Sequence, residues 1–142
     1  PKTIDNDLPY TDHCPGYGSA ARFLAQATID TTMNTISIPG HYPVKVIETM
    51  GRDAGWLVAA SALGKRDELD PPHIILVPEK PFVAGPFLQR VEEIYRRQGY
   101  VIVVAAETIR DEQGKALGSA TQAGSDAFQH PLLSAAAQAQ AG

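Results

Sequence analysis

Apolar residues after residue 18 follow a helical spacing, which predicts an amphipathic helix near the start of the chain. The residues that recur at i, i+3, i+4 and i+7 are Ala20, Phe23, Leu24 and Ala27. We expect Ser19 to cap the exposed amide groups of this helix. We leave the C-terminal boundary of this helix open, because residues 31–38 are rich in β-branched side chains.

Three compact apolar runs follow and predict strands, namely VKVIETM (44–50), HIILV (73–77) and YVIVVAA (100–106). The first run is bounded by Pro43 and Gly51, and its composition suits a strand that is buried on both faces. Pro78 ends the second run, and Glu107 ends the third.

The segments between these strands predict two more helices. Asp53 can cap a helix through AGWLVAASAL (54–63), and Gly64 can end it. In the next segment Gly99 follows a pattern of four apolar residues on one helical face, which are Phe87, Val91, Ile94 and Tyr95.

Alternating strands and helices predict an α/β fold, a three-layer arrangement of a parallel sheet with flanking helices. In such sheets ligands bind outside the carboxyl ends of the strands. We therefore expect Met50, Gly51 and Arg52 to lie with Glu107 on one edge of the sheet. Arg52 is suited to phosphate oxygens there, although pairing with a surface carboxylate is an open alternative. Glu107 is either a ligand for sugar hydroxyls or a solvated residue.

The last part of the chain has a different composition. Residues 111–126 are polar and contain glycine, which predicts a loop or flap. An alanine-rich helix is expected from Pro131, since proline is tolerated in the first helical turn. No internal repeat is present.

Composition bounds the possible functions. The 142 residues suit one domain, and the net charge of -4 with scattered lysine and arginine argues against a nucleic-acid partner. No apolar run approaches the length of a membrane span, so we expect no membrane insertion. The single Cys14 excludes an intrachain disulfide framework and suits a reducing cytosol. A start at Pro1 without a signal peptide suggests an internal piece of a longer protein.

The opening stretch PKTIDNDL contains candidate chemistry. Asn6, Asp7 and Pro9 are typical of a turn. That interpretation does not account for Lys2 and Thr3 beside Asp5. His13, His73 and His130 lack the spacing of metal ligands, and we expect Cys14 to be packed rather than nucleophilic.

Two motifs together resemble the phosphofructokinase family: PKTIDNDL (1–8) and ETMGRDAGW (48–56). TDHCPGYGSAARF (11–23), ILVPE (75–79) and Glu107 keep the family's order, so the resemblance runs through nearly the whole chain. It implies phosphoryl transfer to the 1-hydroxyl of fructose 6-phosphate in glycolysis, by a cytoplasmic enzyme that forms homo-oligomers.

The resemblance also implies roles for the first motif. Asp5 would be the general base that takes the proton from the sugar hydroxyl. Thr3 would contact the transferring phosphoryl group or the reacting end of the sugar phosphate. Asp7 would help to orient the site and its Mg²⁺. Lys2 would meet the phosphate that leaves, which favours pyrophosphate over ATP as the donor.

In the second motif, Met50, Gly51 and Arg52 would hold fructose 6-phosphate, and Arg52 would also neutralise charge on the moving phosphoryl group. Glu107 would bind sugar hydroxyls. An ATP-dependent 6-phosphofructokinase and a non-catalytic sugar-phosphate-binding module are the alternatives.

The resemblance divides the chain at residue 18. Residues 1–18 would be a catalytic loop of the donor-side domain, and 19–142 a sugar-phosphate-side domain that is truncated at its end. The family's glycine- and aspartate-rich donor loop would precede Pro1, so we expect the 142 residues alone to be inactive. Pro43 stands where members commonly carry an arginine that reaches a neighbouring subunit. Glu79 matches an effector-site position of some bacterial members, although a strand-ending carboxylate is the simpler interpretation.

Overall fold

A three-stranded parallel sheet forms the centre of the chain, in a computed structural model that describes residues 3–117, 122–125 and 131–133. Its strands are β1 (Val44–Thr49), β2 (Ile74–Leu76) and β3 (Val101–Ala106), in the order β1-β3-β2. The helices are α1 (Tyr17–Ser37), α2 (Trp56–Ala60) with a 3-10 turn over Ser61–Gly64, and α3 (Ala84–Gln98).

The central strand β3 is buried along its whole length and forms the core. Val58 of α2 packs in one apolar cluster with Val104, whereas Ile94 of α3 packs in another with Val101 and Val103. Because successive strand residues point to opposite faces, the two helices flank opposite sides of the sheet. The predicted three-layer α/β arrangement is confirmed.

The expectation that the first strand is buried on both faces is wrong. β1 is an edge strand, paired only with β3 among the described strands, and its side chains alternate between exposed and covered. Val44 is 42% exposed and Val46 is 59% exposed. A run of apolar residues does not report whether a strand is central or at an edge, since that depends on strand order.

Helix α1 buries a different face from the predicted one. It begins at Tyr17 after Gly16, whose φ of 92° is left-handed, so Ser19 lies inside the helix and does not cap it. Phe23 of the predicted face is 73% exposed, while the buried positions are Ala21, Ala25, Thr28, Thr32 and Thr35. Small residues are buried because α1 packs closely on the 3-10 turn: a Cβ added at Gly64 would lie 2.6 Å from a carbon of Ile29.

Buried threonines with hydrogen-bonded hydroxyls lie in the β-branched C-terminal part of α1. The hydroxyls of Thr28 and Thr32 each donate to a backbone carbonyl four residues earlier, at 2.8 Å in both cases, and Thr35 does so at 3.0 Å. These bonds satisfy polar groups that burial would otherwise leave unpaired. The helix can therefore extend to Ser37 despite its low helix propensity.

Asp53 does not cap α2, which corrects the expected capping residue. The helix starts after Gly55, whose N–H donates to Oε1 of Glu79 at 2.7 Å. The Glu79 carboxylate thus comes from the turn after β2 and occupies the space beside Gly55, where an added Cβ would lie 2.7 Å from Oε2. The loop that follows β1 is fastened to the end of β2 by this bond.

Replacing Glu79 by alanine should lower the free energy of unfolding by about 1 kcal/mol, because the Gly55 N–H loses a charged acceptor. Urea unfolding of the chain measures this change. Lys80→Ala, at the exposed neighbouring position, should stay within about 0.5 kcal/mol of the unmodified chain. Equal losses in the two variants would contradict a specific role for the Glu79 bond.

The predictions for α3 and β3 hold more closely than those for the end of the chain. Gly99 ends α3 with a left-handed φ of 80°, as expected, although Tyr95 is 44% exposed.

Within residues 111–126, expected to be loop, Gln122–Ser125 forms a strand, β4. Pro131–Leu133, expected to start a helix, is strand β5 and pairs antiparallel with β4. Proline is tolerated both in the first turn of a helix and at the first residue of a strand, so Pro131 does not distinguish the two. Residues 134–142 of the expected helix lie outside the described residues.

Among the helices described, none combines the length and apolar character that a membrane crossing requires.

Candidate active site at the carboxyl edge of the sheet

The two predicted strand-end sets lie together on one edge of the sheet. β1 and β3 are parallel neighbours, with Thr49 opposite Ala106. The N–H of Glu107 donates to the carbonyl of Thr49 at 2.8 Å, one residue beyond the end of β3. The turn from Met50 to Arg52 therefore leaves the sheet beside Glu107, which confirms the expected common edge.

Gly51 shapes the turn after β1. Its φ of 122° is a conformation that side chains strongly disfavour, and a Cβ added there would lie 2.6 Å from the carbonyl oxygen of Ala54. The turn is thus closed tightly over a buried glycine, while the Met50 side chain before it is 58% exposed. A ligand approaching this edge would meet the flexible Met50 side chain and close-packed backbone.

Arg52 presents an unsatisfied cation at this edge. Its Nη1 is buried and has no hydrogen-bond partner in the described part of the chain. The surface carboxylate next to it, Asp53, instead pairs with Arg110 at 3.4 Å. A pairing of Arg52 with a surface carboxylate is not observed among residues 3–117, and its Nη1 is left without an acceptor there.

The opening loop brings a carboxylate to the same place. The Asp5 N–H donates to Oγ1 of Thr3 at 3.1 Å, so the threonine hydroxyl helps to fix the backbone at Asp5. One carboxylate oxygen of Asp5, Oδ1, is buried without a hydrogen-bond partner among the residues described. An unpartnered buried oxygen is costly for stability and is available to accept a proton or a hydrogen bond.

The electrostatics of Asp5 link it to the strand ends. Burial raises its pKa, the nearby charges of Asp7 and Glu107 raise it further, and Arg52 partly offsets them. These four side chains therefore share one electrostatic environment, although three separate parts of the sequence supply them. A carboxylate whose pKa is raised holds a proton more readily than an ordinary aspartate, which suits a general base.

Asn6 holds the loop that carries Asp5. Its side chain is buried, its φ of 59° is left-handed, and its Oδ1 accepts the N–H of Cys14 at 2.8 Å. Its Nδ2 donates to the carbonyl of Asp12 at 3.1 Å. The sequence indicated only turn chemistry at Asn6. Asparagine is enriched at left-handed positions, and this is the signal that could have singled it out.

The carboxylates of the site do not form a complete metal cage. Among the described residues there is no group of three or more His, Cys, Asp or Glu side chains placed to hold a metal ion. Asp7 is exposed beside Asp5 and offers one carboxylate. Mg²⁺ commonly takes one or two carboxylates together with substrate phosphates and water, and this donor set fits that pattern.

The remaining candidate residues have structural surroundings or lie outside the described residues. Lys2 and His130 lie outside the described residues. Cys14 is buried, as expected. His73 accepts the N–H of Ile102 at 2.8 Å through Nδ1, and burial lowers its pKa. His73 therefore supports the junction of β2 and β3 rather than the edge that carries Arg52.

Comparison with known proteins finds a family and named relatives that match most of the chain. Residues 1–138 match the family profile described as Phosphofructokinase. The chain is 42% identical over its whole length to a Halomonas elongata protein named "Pyrophosphate–fructose 6-phosphate 1-phosphotransferase", covering 34% of that protein. It is also 34% identical to an "ATP-dependent 6-phosphofructokinase" from Amycolatopsis methanolica, over 75% of the chain and 23% of that protein.

Among solved structures, the pyrophosphate-dependent phosphofructokinase from Marinobacter aquaeolei superposes with a TM-score of 0.74 at 46% identity. The match covers 79% of this chain and 29% of that one. The chain thus spans about a third of the length of the relatives that it matches.

Proposed function

The chain belongs to the phosphofructokinase family, and we propose that it is a segment of a 6-phosphofructokinase that uses pyrophosphate as its phosphoryl donor. The observation that carries the proposal is that Asp5 lies near enough to Arg52 and Glu107 for their charges to shift its pKa, while the Arg52 turn and Glu107 leave the sheet at one edge. Each of Asp5 and Arg52 has a buried polar atom without a partner in the described residues. A carboxylate base and an arginine are the groups that transfer of a phosphoryl group to a hydroxyl requires.

In the proposed reaction Asp5 accepts the proton of the 1-hydroxyl of fructose 6-phosphate. The hydroxyl oxygen bonds to the terminal phosphorus of pyrophosphate, the bridging bond breaks, and phosphate leaves. The products are fructose 1,6-bisphosphate and phosphate. Arg52 is assigned to the equatorial oxygens of the moving group, where negative charge must be stabilised.

Further residues bind and orient the substrates in this proposal. Met50 and Gly51 form the backbone turn that receives the sugar phosphate, and Glu107 accepts hydrogen bonds from sugar hydroxyls. Thr3 accepts the Asp5 N–H and is assigned to contact the phosphoryl group. Lys2, which lies outside the described residues, is assigned to the leaving phosphate.

Mg²⁺ is part of the proposal. When bound, it would supply positive charge that neutralises the phosphates. Asp7 is the carboxylate of this chain assigned to it. The exposure of Asp7 suits a ligand shared with substrate oxygens and water.

The domain assignment and the setting are also proposals. Residues 1–18 belong to the donor-side domain, and residues 19–142 belong to the sugar-phosphate side. The enzyme that contains this chain, called the full-length enzyme below, acts in glycolysis in the cytoplasm as a homo-oligomer. Because the chain spans about a third of the length of its Halomonas elongata relative, the proposed activity is that of the full-length enzyme, and the 142 residues alone are assigned no turnover.

The donor assignment is tested by assaying the full-length enzyme with each donor. Formation of fructose 1,6-bisphosphate with pyrophosphate, and little with ATP, is the expected result. Activity with ATP alone would select the ATP-dependent alternative, for which the Amycolatopsis methanolica relative is the supporting observation. Sugar phosphate binding without turnover with either donor would select the non-catalytic module.

Replacing Glu107 should shift the pH dependence of kcat/KM. Because its negative charge raises the pKa of Asp5, Glu107→Gln should lower that pKa, and the base then stays ionised to a lower pH. The acid limb of kcat/KM in the full-length enzyme therefore shifts to lower pH, even though the maximum falls through weaker sugar binding.

A matched substitution controls for the loss of one surface charge. Glu112→Gln removes an exposed carboxylate from the turn that follows and should leave the limb in place. An unchanged limb in Glu107→Gln, or a shift to higher pH, would show that Asp5 is not the group that titrates.

A further inference from the structure

Asn6 connects the opening loop to the scaffold by two hydrogen bonds from one side chain. Oδ1 accepts from the N–H of Cys14, and Nδ2 donates to the carbonyl of Asp12. Asn6, Asp12 and Cys14 are called the Asn6 clamp below. Asn6 is only 9% exposed; its bond to Cys14 is buried, and its bond to Asp12 is partly buried.

The Asn6 clamp leads directly into α1. The carbonyl of Cys14 accepts the N–H of Tyr17, the first residue of the helix, at 3.1 Å. The Tyr17 hydroxyl lies 3.4 Å from the carbonyl of Trp56, at the start of α2. A chain of contacts therefore runs from the loop that carries Asp5 to the helix that follows the Arg52 turn.

The backbone at Asn6 explains why few other residues could serve. Its φ of 59° is a left-handed conformation, which glycine, asparagine and aspartate tolerate best. Glycine would supply neither hydrogen bond. Aspartate would keep the acceptor, lose the donor and add a negative charge beside Asp5. Asparagine alone among these three satisfies the geometry, both bonds and neutrality.

We propose that Asn6 is a positioning residue that holds the Asp5 carboxylate in its working place, an inference that rests on the proposed function. Asn6 does not touch the reacting atoms; it acts through the backbone of the loop. Two like charges already surround Asp5, those of Asp7 and Glu107, so a neutral side chain at position 6 avoids a third. A base displaced by about 1 Å loses on the order of 10²-fold in rate.

The test uses three variants of the full-length enzyme. Asn6→Gly keeps the left-handed backbone and removes both bonds, whereas Asn6→Asp keeps the bond to Cys14. Tyr10→Gly is the matched control, since Tyr10 has a φ of 57° in the same loop and its side chain is fully exposed. Thermal melting and far-UV circular dichroism report whether each variant folds.

Asn6→Gly should lower kcat by about 10- to 100-fold, while KM for fructose 6-phosphate changes less than about threefold. Tyr10→Gly should keep kcat within about twofold. Asn6→Asp keeps the bond to Cys14 and should therefore lose less kcat than Asn6→Gly.

The outcomes separate the two proposals. If the unmodified enzyme turns over and Asn6→Gly keeps its kcat, or if Tyr10→Gly loses as much, the positioning role is wrong and the function stands. A rise of KM in step with the fall of kcat would also overturn it, as a general loss of the site. An unmodified enzyme that is inactive with both donors overturns the proposed function and this inference together.

Discussion

Asp5→Asn in the full-length enzyme lowers kcat by about 10²- to 10⁴-fold, the usual contribution of a general base. KM for fructose 6-phosphate should change little, because the asparagine side chain has nearly the shape of aspartate and the proposal assigns the sugar phosphate to the turn after β1. Initial rates at saturating donor, measured across fructose 6-phosphate concentrations, separate the two constants.

The matched control is Asp12→Asn, which makes the same chemical change at an exposed side chain of the same loop and keeps the Asp12 backbone carbonyl that accepts from Asn6. Its kcat should stay within about twofold of the unmodified enzyme. An Asp5→Asn enzyme that retains near-normal kcat would remove Asp5 from the role of base.

The same substitution should raise stability at neutral pH. The folded state raises the pKa of Asp5, so it binds that proton more tightly than the unfolded chain does. The resulting penalty is fully present above the folded pKa and disappears as the pH falls below the unfolded pKa. Urea unfolding should therefore favour Asp5→Asn near pH 7 and show little difference near pH 3, whereas a less stable variant at pH 7 contradicts the raised pKa.

Arg52→Met has the second large expected effect, a fall in kcat of about 10²- to 10³-fold with a rise in KM for fructose 6-phosphate. The substitution removes the guanidinium whose Nη1 is buried without a partner in the described residues, and methionine keeps much of the volume. Loss of one donor to a developing negative charge commonly costs this much in rate. Steady-state kinetics with both substrates varied gives the two effects separately.

Arg110→Met is the control for charge, since Arg110 lies on the same edge but is paired with Asp53 on the surface. Surface ion pairs contribute little, so its kcat and KM should both stay within about threefold. Equal losses in the two variants would mean that the edge needs positive charge in general, and the specific role of Arg52 would be wrong.

The relation between sequence and structure differs from element to element. β3 and α3 were predicted closely because each has a strong local signal: a continuous apolar run for β3, and an apolar face with a terminal Gly99 for α3. The face of α1 was predicted wrongly because Phe23 outweighed Ala21 and Ala25 in hydrophobicity. Close packing on the turn at Gly64 selects small residues instead.

The residues of the site follow the same division. Arg52 and Glu107 could be expected on one edge, because the carboxyl ends of parallel strands meet there. The sequence predicts only a strand-ending carboxylate at Glu79. Its bond to Gly55 is seen only in the folded chain, since 24 residues separate the partners. Asp53 was expected to cap a helix and instead pairs with Arg110, which lies 57 residues away.

The alternation of strands and helices, the fold class, the family and the candidate site residues could be predicted from the sequence, because each rests on local patterns or on motifs. The folded chain alone shows that β3 is central and β1 an edge among the described strands, which side of α1 is buried, and that Asn6 fastens the loop of Asp5. It also shows that Asp5 shares its surroundings with Arg52 and Glu107. Burial and electrostatic coupling depend on neighbours that are distant in the chain, and these neighbours exist only once the chain has folded.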